Sequence, residues 1–268
     1  MADPLAVVMP SSTNVIRTRT APSVASSTGL VLGFWWAATG LTFGMQWSES
    51  ARIAELVVTS VLALAGGYLV ASARDDSTVR GARRAFLGAS LLWWWSSSVF
   101  YAGFGIYLPA TVGAPQGSLT LAVQAIVSTL GADLVGVATM IAIVLAVRQR
   151  VNTLAAWTFA TYWGTLQMAK LNVFFGVQHS GAEYLPARLA RLSAFFGPPR
   201  NSALLPVSLA LLTALCVVLL SRARREEGSM RHGSIILATL IGLALVEHAF
   251  LGIPAALPLW DMFLRHGT

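Results

Sequence analysis

Four ionisable side chains stand inside stretches of sequence that are otherwise apolar: Asp133, Lys170, Glu247 and His248. Carboxylates and imidazoles ligate metals and transfer protons, and an ammonium group pairs with carboxylates. Such groups are costly in a membrane and normally face a bundle interior or an aqueous cavity. Each of the four is therefore a candidate functional residue.

The segments that carry them have the composition of membrane helices. Of the 268 residues, 56% are hydrophobic and 11% are charged, and the mean hydropathy is +0.68. About 20 apolar residues span the hydrocarbon core as a helix, and lipid offers no partner for unpaired backbone groups. The sequence predicts an all-α, polytopic membrane bundle of about seven transmembrane helices. The seven runs are 29–47, 53–73, 85–108, 118–147, 151–176, 203–220 and 234–253.

These runs form one membrane domain, residues 29–260. Residues 1–28 are rich in Ser, Thr and Ala and predict a disordered cytoplasmic tail, and residues 261–268 form a C-terminal tail. Between the fifth and sixth runs, residues 185–196 place four apolar side chains on one helical face and the arginines elsewhere. The apolar residues are Leu185, Leu189, Leu192 and Phe196, and the arginines are Arg188 and Arg191. This pattern predicts a short interfacial helix, which could serve as a plain cap on the bundle or as a docking surface.

The distribution of basic residues predicts the orientation. Of the Lys and Arg residues outside the runs, 12 lie in the N-terminal tail and the even-numbered connections, and 5 lie in the odd-numbered connections and the C-terminus. The positive-inside rule then places the N-terminus in the cytoplasm and the C-terminus in the periplasm. The net charge of +7 then reflects the membrane topology, and it favours attraction to anionic lipid. We therefore expect no nucleic-acid partner.

Depth along the helices suggests which polar side chains meet. Lys170 and Glu247 each lie six residues from the outer end of their runs, about 9 Å, whereas Asp133 lies about 22 Å deep. The sequence therefore favours a Lys170–Glu247 pair, with Gln167 and Asn172 completing a buried polar network. The alternative is that Lys170 extends its own methylenes to the interface.

Two further features bear on cofactors. His248 could ligate a metal or a chlorophyll magnesium, although a structural histidine is the more common case. Trp93, Trp94 and Trp95 point about 100° apart on a helix, so they cannot all line one pocket. They are interpreted either as interfacial anchors or as contacts with neighbouring chains and flat pigments.

Four segments, in order, resemble the PuhE-like family of photosynthetic complex assembly proteins (type 2). They are WTFATYWGTLQMAKLNVFFGV (157–177), YLPARLARLSAFF (184–196), NSALLPVS (201–208) and LVEHAFLGIPAALPLW (245–260), with a fainter similarity at 34–41. The matching family positions are Trp157, Lys170, Asn172, Gly176, Leu185, Pro186, Asn201, Pro206, Glu247, His248 and Trp260.

The resemblance identifies the chain as a divergent member. Ser97 stands where the family pattern has a glutamate, and only Asp133 remains where a His-Glu pair is expected. The resemblance implies a non-catalytic accessory subunit or assembly factor in a bacterial photosynthetic membrane. It would contact reaction-centre or light-harvesting subunits, membrane lipids and peripheral bacteriochlorophyll or carotenoid.

Two other function classes remain open from the sequence. A membrane metalloenzyme or pigment-handling factor would use Glu247, His248 and Asp133 around a cofactor. A small-solute transporter would require Asp133 and Lys170 to line a continuous wet path.

Overall fold

The computed structural model describes residues 24–46, 48–107, 115 and 118–253. All regular secondary structure within these residues is helical, which confirms the all-α prediction. Most of the predicted N-terminal tail and the whole predicted C-terminal tail lie outside the described residues, as does Trp260. The predicted tail extends too far, since the first helix already begins at Val24.

In the described part of the chain, seven α-helices of 22–29 residues form the bundle. They are α1 (Val24–Met45), α2 (Glu49–Ala73), α3 (Val79–Tyr101), α4 (Leu119–Val147), α5 (Leu154–Phe175), α6 (Leu204–Arg225) and α7 (Gly228–Gly252). Each predicted run coincides with one of these helices. The largest differences are in α3, which begins six residues before its predicted run and ends seven residues before the run does, and at the start of α7, six residues before its run. Both added starts are polar segments that hydropathy alone does not include.

Five of the helices, α1, α2, α4, α6 and α7, are long and apolar enough to cross a membrane. The other two are less apolar: α3 begins with Arg80, Arg83 and Arg84, and α5 contains Lys170. Both have several neighbours, because α3 packs against α1, α2, α4, α5 and α7, and α5 packs against α3, α4, α6 and α7.

Serine and threonine residues fix where three helices begin. Ser48, Thr78 and Ser118 precede α2, α3 and α4, and each side-chain oxygen accepts a hydrogen bond from the backbone N–H three residues later. This is the expected N-cap geometry, which satisfies a donor that the first helical turn cannot pair. The starts of these helices are thus encoded locally.

Glycine allows α2 and α3 to approach until their backbones touch. A Cβ atom built on Gly66 would lie 2.8 Å from the carbonyl oxygen of Gly88, and one built on Gly88 would lie 2.7 Å from that of Gly66. Small residues at a helix interface permit this close packing in membranes, where hydrophobic burial between helices gains little. The neighbouring Phe86 is fully buried in the largest core cluster.

The segment predicted as an interfacial helix forms a 3₁₀ helix at Ala187–Phe195. Its buried residues are Leu189, Leu192 and Phe195, spaced by three because a 3₁₀ helix has three residues per turn. Phe195 therefore replaces the predicted Phe196 on the buried face. These side chains pack against the first turns of α4, so the helix covers that end of the bundle.

Candidate functional site

Lys170 forms an ion pair with Asp133 that joins α5 to α4. The ammonium Nζ lies 2.6 Å and 2.8 Å from the two carboxylate oxygens and 2.8 Å from the Thr129 hydroxyl. A lysine has three N–H donors, so all three are satisfied. Both side chains are largely enclosed, with 12% and 15% of their surface exposed.

The predicted pairing of Lys170 with Glu247 is wrong, because the depth of Asp133 was counted from the start of α4. That helix extends beyond its neighbours: the segment after α3 meets it at Ser128, whose carbonyl accepts the N–H of Tyr107 at 2.8 Å. Measured from Ser128, Asp133 is five residues deep, or about 7.5 Å. Lys170 lies the same distance below the end of α5, so the two side chains are level.

The predicted network is divided between two places. Gln167 joins the ion pair, since its Nε2 donates to Asp133 Oδ1 at 2.9 Å. Asn172 does not: its Nδ2 donates to the Ser208 hydroxyl of α6 at 2.8 Å, and the residue is fully buried. Asn172 therefore connects α5 to α6, separately from the charged residues.

Glu247 faces α1 rather than α5. Its Oε1 accepts a hydrogen bond of 2.8 Å from the indole Nε1 of Trp35. Trp35 is the twelfth of the 22 residues of α1, near the middle of that helix. The Glu247 side chain is exposed, and within the described part of the chain no Lys, Arg or His forms an ion pair with it.

His248 occupies a different environment from its neighbour in sequence. It is 1% exposed, and its Nδ1 lies 2.7 Å from the carbonyl oxygen of Ala244, one turn earlier. Its Nε2 has no hydrogen-bond partner among the described residues. This nitrogen is itself buried. The described residues also contain no group of three or more His, Cys, Asp and Glu side chains placed to hold a metal.

The three consecutive tryptophans contact three different helices of their own chain. Trp93 stacks on Tyr162 of α5, with ring centroids 5.5 Å apart and planes 4° apart. Trp94 donates its indole N–H to the Thr42 hydroxyl of α1 at 2.8 Å, and Trp95 donates to a serine of α2 at 3.2 Å. Because successive residues of α3 point about 100° apart, the three side chains contact three different neighbouring helices. The three rings are half-buried.

A cavity of about 240 Å³ lies between α1, α3, α4, α5 and α7. Its walls are strongly aromatic and include Trp35, Trp93, Trp94, Tyr162 and Trp163. Four of the predicted site residues line it: Trp93, Trp94, Asp133 and Glu247. The structure therefore brings two of the four ionisable candidates to one partly open cavity, and this cavity with its carboxylates is the candidate functional site.

A buried carboxylate that the sequence analysis overlooked lies beside this site. Glu55 is 2% exposed and accepts hydrogen bonds from Thr42 at 2.8 Å, from Ser98 at 3.0 Å and from Gln46. It therefore ties α1 and α3 to α2, and Arg188 of the 187–195 helix donates to the same Gln46. The sequence does hold one feature that could have indicated a buried partner: the polar side chains of Thr42 and Gln46 stand one helical turn apart near the end of α1.

Comparison with known proteins places the chain in a family. Residues 22–268 match the family described as Protein of unknown function (DUF3623). The chain belongs to this family. It is also 34% identical over 227 residues to a Rhodobacter capsulatus protein named "Uncharacterized 30.4 kDa protein in puhA 5'region", covering 82% of this chain and 83% of the relative. No solved structure matches significantly.

The family match extends the similarity beyond the four motifs of the second half. It includes α1 to α4, where the motif resemblance is loose, so the departures at Ser97 and Asp133 lie within a full-length family relationship. The names of the family and of the relative describe no reaction.

Proposed function

We propose that this chain is a seven-span protein of a bacterial photosynthetic membrane that acts as a non-catalytic accessory subunit or assembly factor for a reaction-centre or light-harvesting complex. The observation that carries the proposal is the 34% identical relative, whose name places it in the 5′ region of puhA. The four motifs that resemble the PuhE-like family point to the same role.

The placement of interior charges supports a scaffold. Asp133 is neutralised by Lys170, and Glu55 accepts hydrogen bonds from three side chains. Both sets of contacts join different helices. Buried polar groups satisfied in this way fix the relative positions of the helices, which is the property required of a rigid membrane subunit.

Seven spans follow if the two polar helices also cross the membrane. At 1.5 Å per residue, the 23 residues of α3 and the 22 of α5 reach about 33–35 Å, enough for a hydrocarbon core of about 30 Å. The arginines of α3 lie at its first turns, where they reach the cytoplasmic interface. The charge of Lys170 in α5 is compensated by Asp133. The N-terminus is then cytoplasmic and the C-terminus periplasmic.

The outer faces of the helices are suited to lipid. Along α2, Val57, Val61, Leu64 and Tyr68 are 59–77% exposed and share one face by their spacing. Surfaces of this kind would contact bacteriochlorophyll, carotenoid and partner subunits. Trp93, Trp94 and Trp95 would contribute mainly by holding α3 in place.

The test is isolation of the native complexes. The chain carrying an affinity tag is expressed in its own phototrophic host in place of the natural copy, and membranes are solubilised in a mild detergent. Comigration with reaction-centre polypeptides at fixed stoichiometry is expected for a resident subunit, and association only during induction of the photosynthetic apparatus for an assembly factor. A tagged membrane protein unrelated to photosynthesis serves as control. Failure to associate, with normal complexes in a deletion strain, would contradict the proposal.

The two competing classes receive less support from the geometry. A metal site built from Glu247, His248 and Asp133 needs the three groups to converge, yet each has its own partner on Trp35, Ala244 or Lys170. A transport path along Asp133 and Lys170 would be interrupted where the two bind each other. Stoichiometric iron, zinc or copper in the purified protein would restore the enzyme hypothesis, and loss of uptake on Asp133→Asn would restore the transporter.

A further inference from the structure

We infer that the aromatic cavity is a binding site for a small lipophilic organic cation, with Glu247 as the counter-charge. The inference rests on the charges and walls of the cavity and is independent of the partner complex proposed above. Its first element is the charge balance. Two carboxylates line the cavity, Asp133 and Glu247, and no Lys, Arg or His is among its described lining residues.

Only one of the two carboxylates is neutralised. Asp133 is bound by the ammonium of Lys170 at 2.6 Å, and this ammonium lies outside the cavity wall. Glu247 receives the neutral indole N–H of Trp35 and no cation among the described residues. A carboxylate inside a membrane helix is expensive without a positive partner. Among the described residues, Glu247 is therefore the cavity carboxylate that lacks a cation, and a cationic ligand would stabilise its ionised form.

The walls around this charge are suited to a cation as well. Aromatic rings attract cations to their faces through the ring quadrupole, most strongly when water is excluded. Trp35 is held beside the carboxylate by its hydrogen bond, and Trp94 and Tyr162 belong to the same wall. The stacked Trp93–Tyr162 pair belongs to the lining as well. Several aromatic rings and the Glu247 carboxylate thus line a common space.

Size and access restrict the ligand further. At about 240 Å³, the cavity is below the roughly 300–1,000 Å³ of typical small-molecule pockets. It accommodates an alkylated ammonium group or a single ring, but not a tetrapyrrole macrocycle. The Glu247 side chain is exposed, so a ligand can reach it. Because the site lies among membrane helices, the ligand must be lipophilic enough to enter from the bilayer.

A neutral ligand is the competing occupant, and it would use Glu247 differently. A carbonyl-bearing ring would accept a hydrogen bond from a protonated carboxyl group, which an amide replaces well. A cation instead requires the negative charge. Glu247→Gln therefore separates the two, because it retains shape and hydrogen-bonding capacity while removing the charge.

The experiment uses the full chain in lipid nanodiscs and benzyltrimethylammonium as the probe, measured by equilibrium dialysis. We expect saturable binding of one equivalent, weakened at least about tenfold by Glu247→Gln, since charge-assisted contacts are stronger than neutral ones. The matched control, Glu49→Gln, changes a glutamate whose side chain is 80% exposed and should leave binding unchanged.

A second pair of variants tests the location. Ala38 lines the cavity, so Ala38→Phe should fill it and abolish binding, whereas Ala71→Phe adds the same ring on an exposed face of α2 and should not. Retained helical content and melting temperature establish that each variant folds. Absence of probe binding to the wild-type protein, equal binding after Glu247→Gln, or preference for an uncharged quinone analogue that survives this substitution would each overturn the inference.

Discussion

Replacement of Lys170 by Met removes one charge and keeps most of the side-chain volume. In the structure, the ammonium satisfies both oxygens of Asp133 and the Thr129 hydroxyl. The variant therefore leaves a carboxylate that is 15% exposed with Gln167 as its remaining side-chain donor from α5. The expected result is a large loss of stability arising from the stranded charge and not from lost packing.

The magnitude follows from the burial of the pair. Breaking a buried ion pair by removing one partner costs about 3–5 kcal/mol, against a total of about 5–15 kcal/mol for a typical domain. For a chain of this size, 1 kcal/mol corresponds to about 2–4 °C in melting temperature. Lys170→Met should thus lower the melting temperature by roughly 6–20 °C.

The assay is a double-mutant cycle followed by thermal unfolding in one detergent, with circular dichroism as readout. Lys170→Met combined with Asp133→Leu removes both charges and should recover most of the lost stability. As a matched cycle, Lys170→Met is combined with Glu247→Gln, for which the structure shows no contact. The effects of that second pair should be nearly additive.

Two outcomes would refute this reasoning. If the Lys170/Asp133 double variant loses the sum of the two single losses, the pair does not act as a unit. If the cycle instead shows coupling between Lys170 and Glu247, the ammonium contacts Glu247, as the sequence predicts. The axial register of α4 against α5 would then differ from that described.

Three further expectations concern other parts of the bundle. Gly88→Ala should destabilise the protein by about 1–3 kcal/mol, because the added Cβ would meet the α2 backbone. Gly67→Ala, where a Cβ meets open space, should be neutral or stabilising by up to about 1 kcal/mol. Equal melting temperatures of the two variants would contradict the close approach of α2 and α3. Glu55→Leu should cost at least about 2 kcal/mol, since three buried donors lose their acceptor; an unchanged denaturation midpoint would contradict this. Hydrogen bonds from the side chain and backbone of Thr78 lower the pKa of Asp76 below its ordinary value of 3.8, so its stabilisation is present above about pH 4 and is lost as pH falls through the lower folded-state pKa; Asp76→Asn should flatten that acid-side decline in melting temperature.

The helical elements were largely predictable because their signals are local. Each predicted run coincides with an observed α-helix, since hydropathy over about 20 residues and backbone satisfaction in lipid leave few alternatives. The serines and threonine that begin α2, α3 and α4 act within three residues of themselves. The prediction of a helix at 185–196 identified the segment, but its 3₁₀ geometry exchanged Phe196 for Phe195 on the buried face.

Side-chain contacts between helices were harder to predict from the sequence. The sequence identified Lys170 and Asp133 as candidates but separated them, because depth was counted from the ends of the runs. The offset is visible in one backbone contact: the N–H of Tyr107, shortly after α3, donates to the carbonyl of Ser128, the tenth residue of α4. Glu55 was not among the residues predicted from the sequence, although the side chains of Thr42, Gln46 and Ser98 converge on its carboxylate.

The sequence by itself determined that this protein is a helical membrane bundle, approximately where its helices lie along the chain, and most of the polar side chains that take part in contacts between them. Only the tertiary structure decided that Lys170 binds Asp133, that Glu247 accepts from Trp35 with no cation beside it in the described part of the chain, and that three neighbouring tryptophans contact three different helices. The physical reason is that helix formation depends on nearby residues, whereas the axial offset and rotation between helices depend on the packing of the whole bundle.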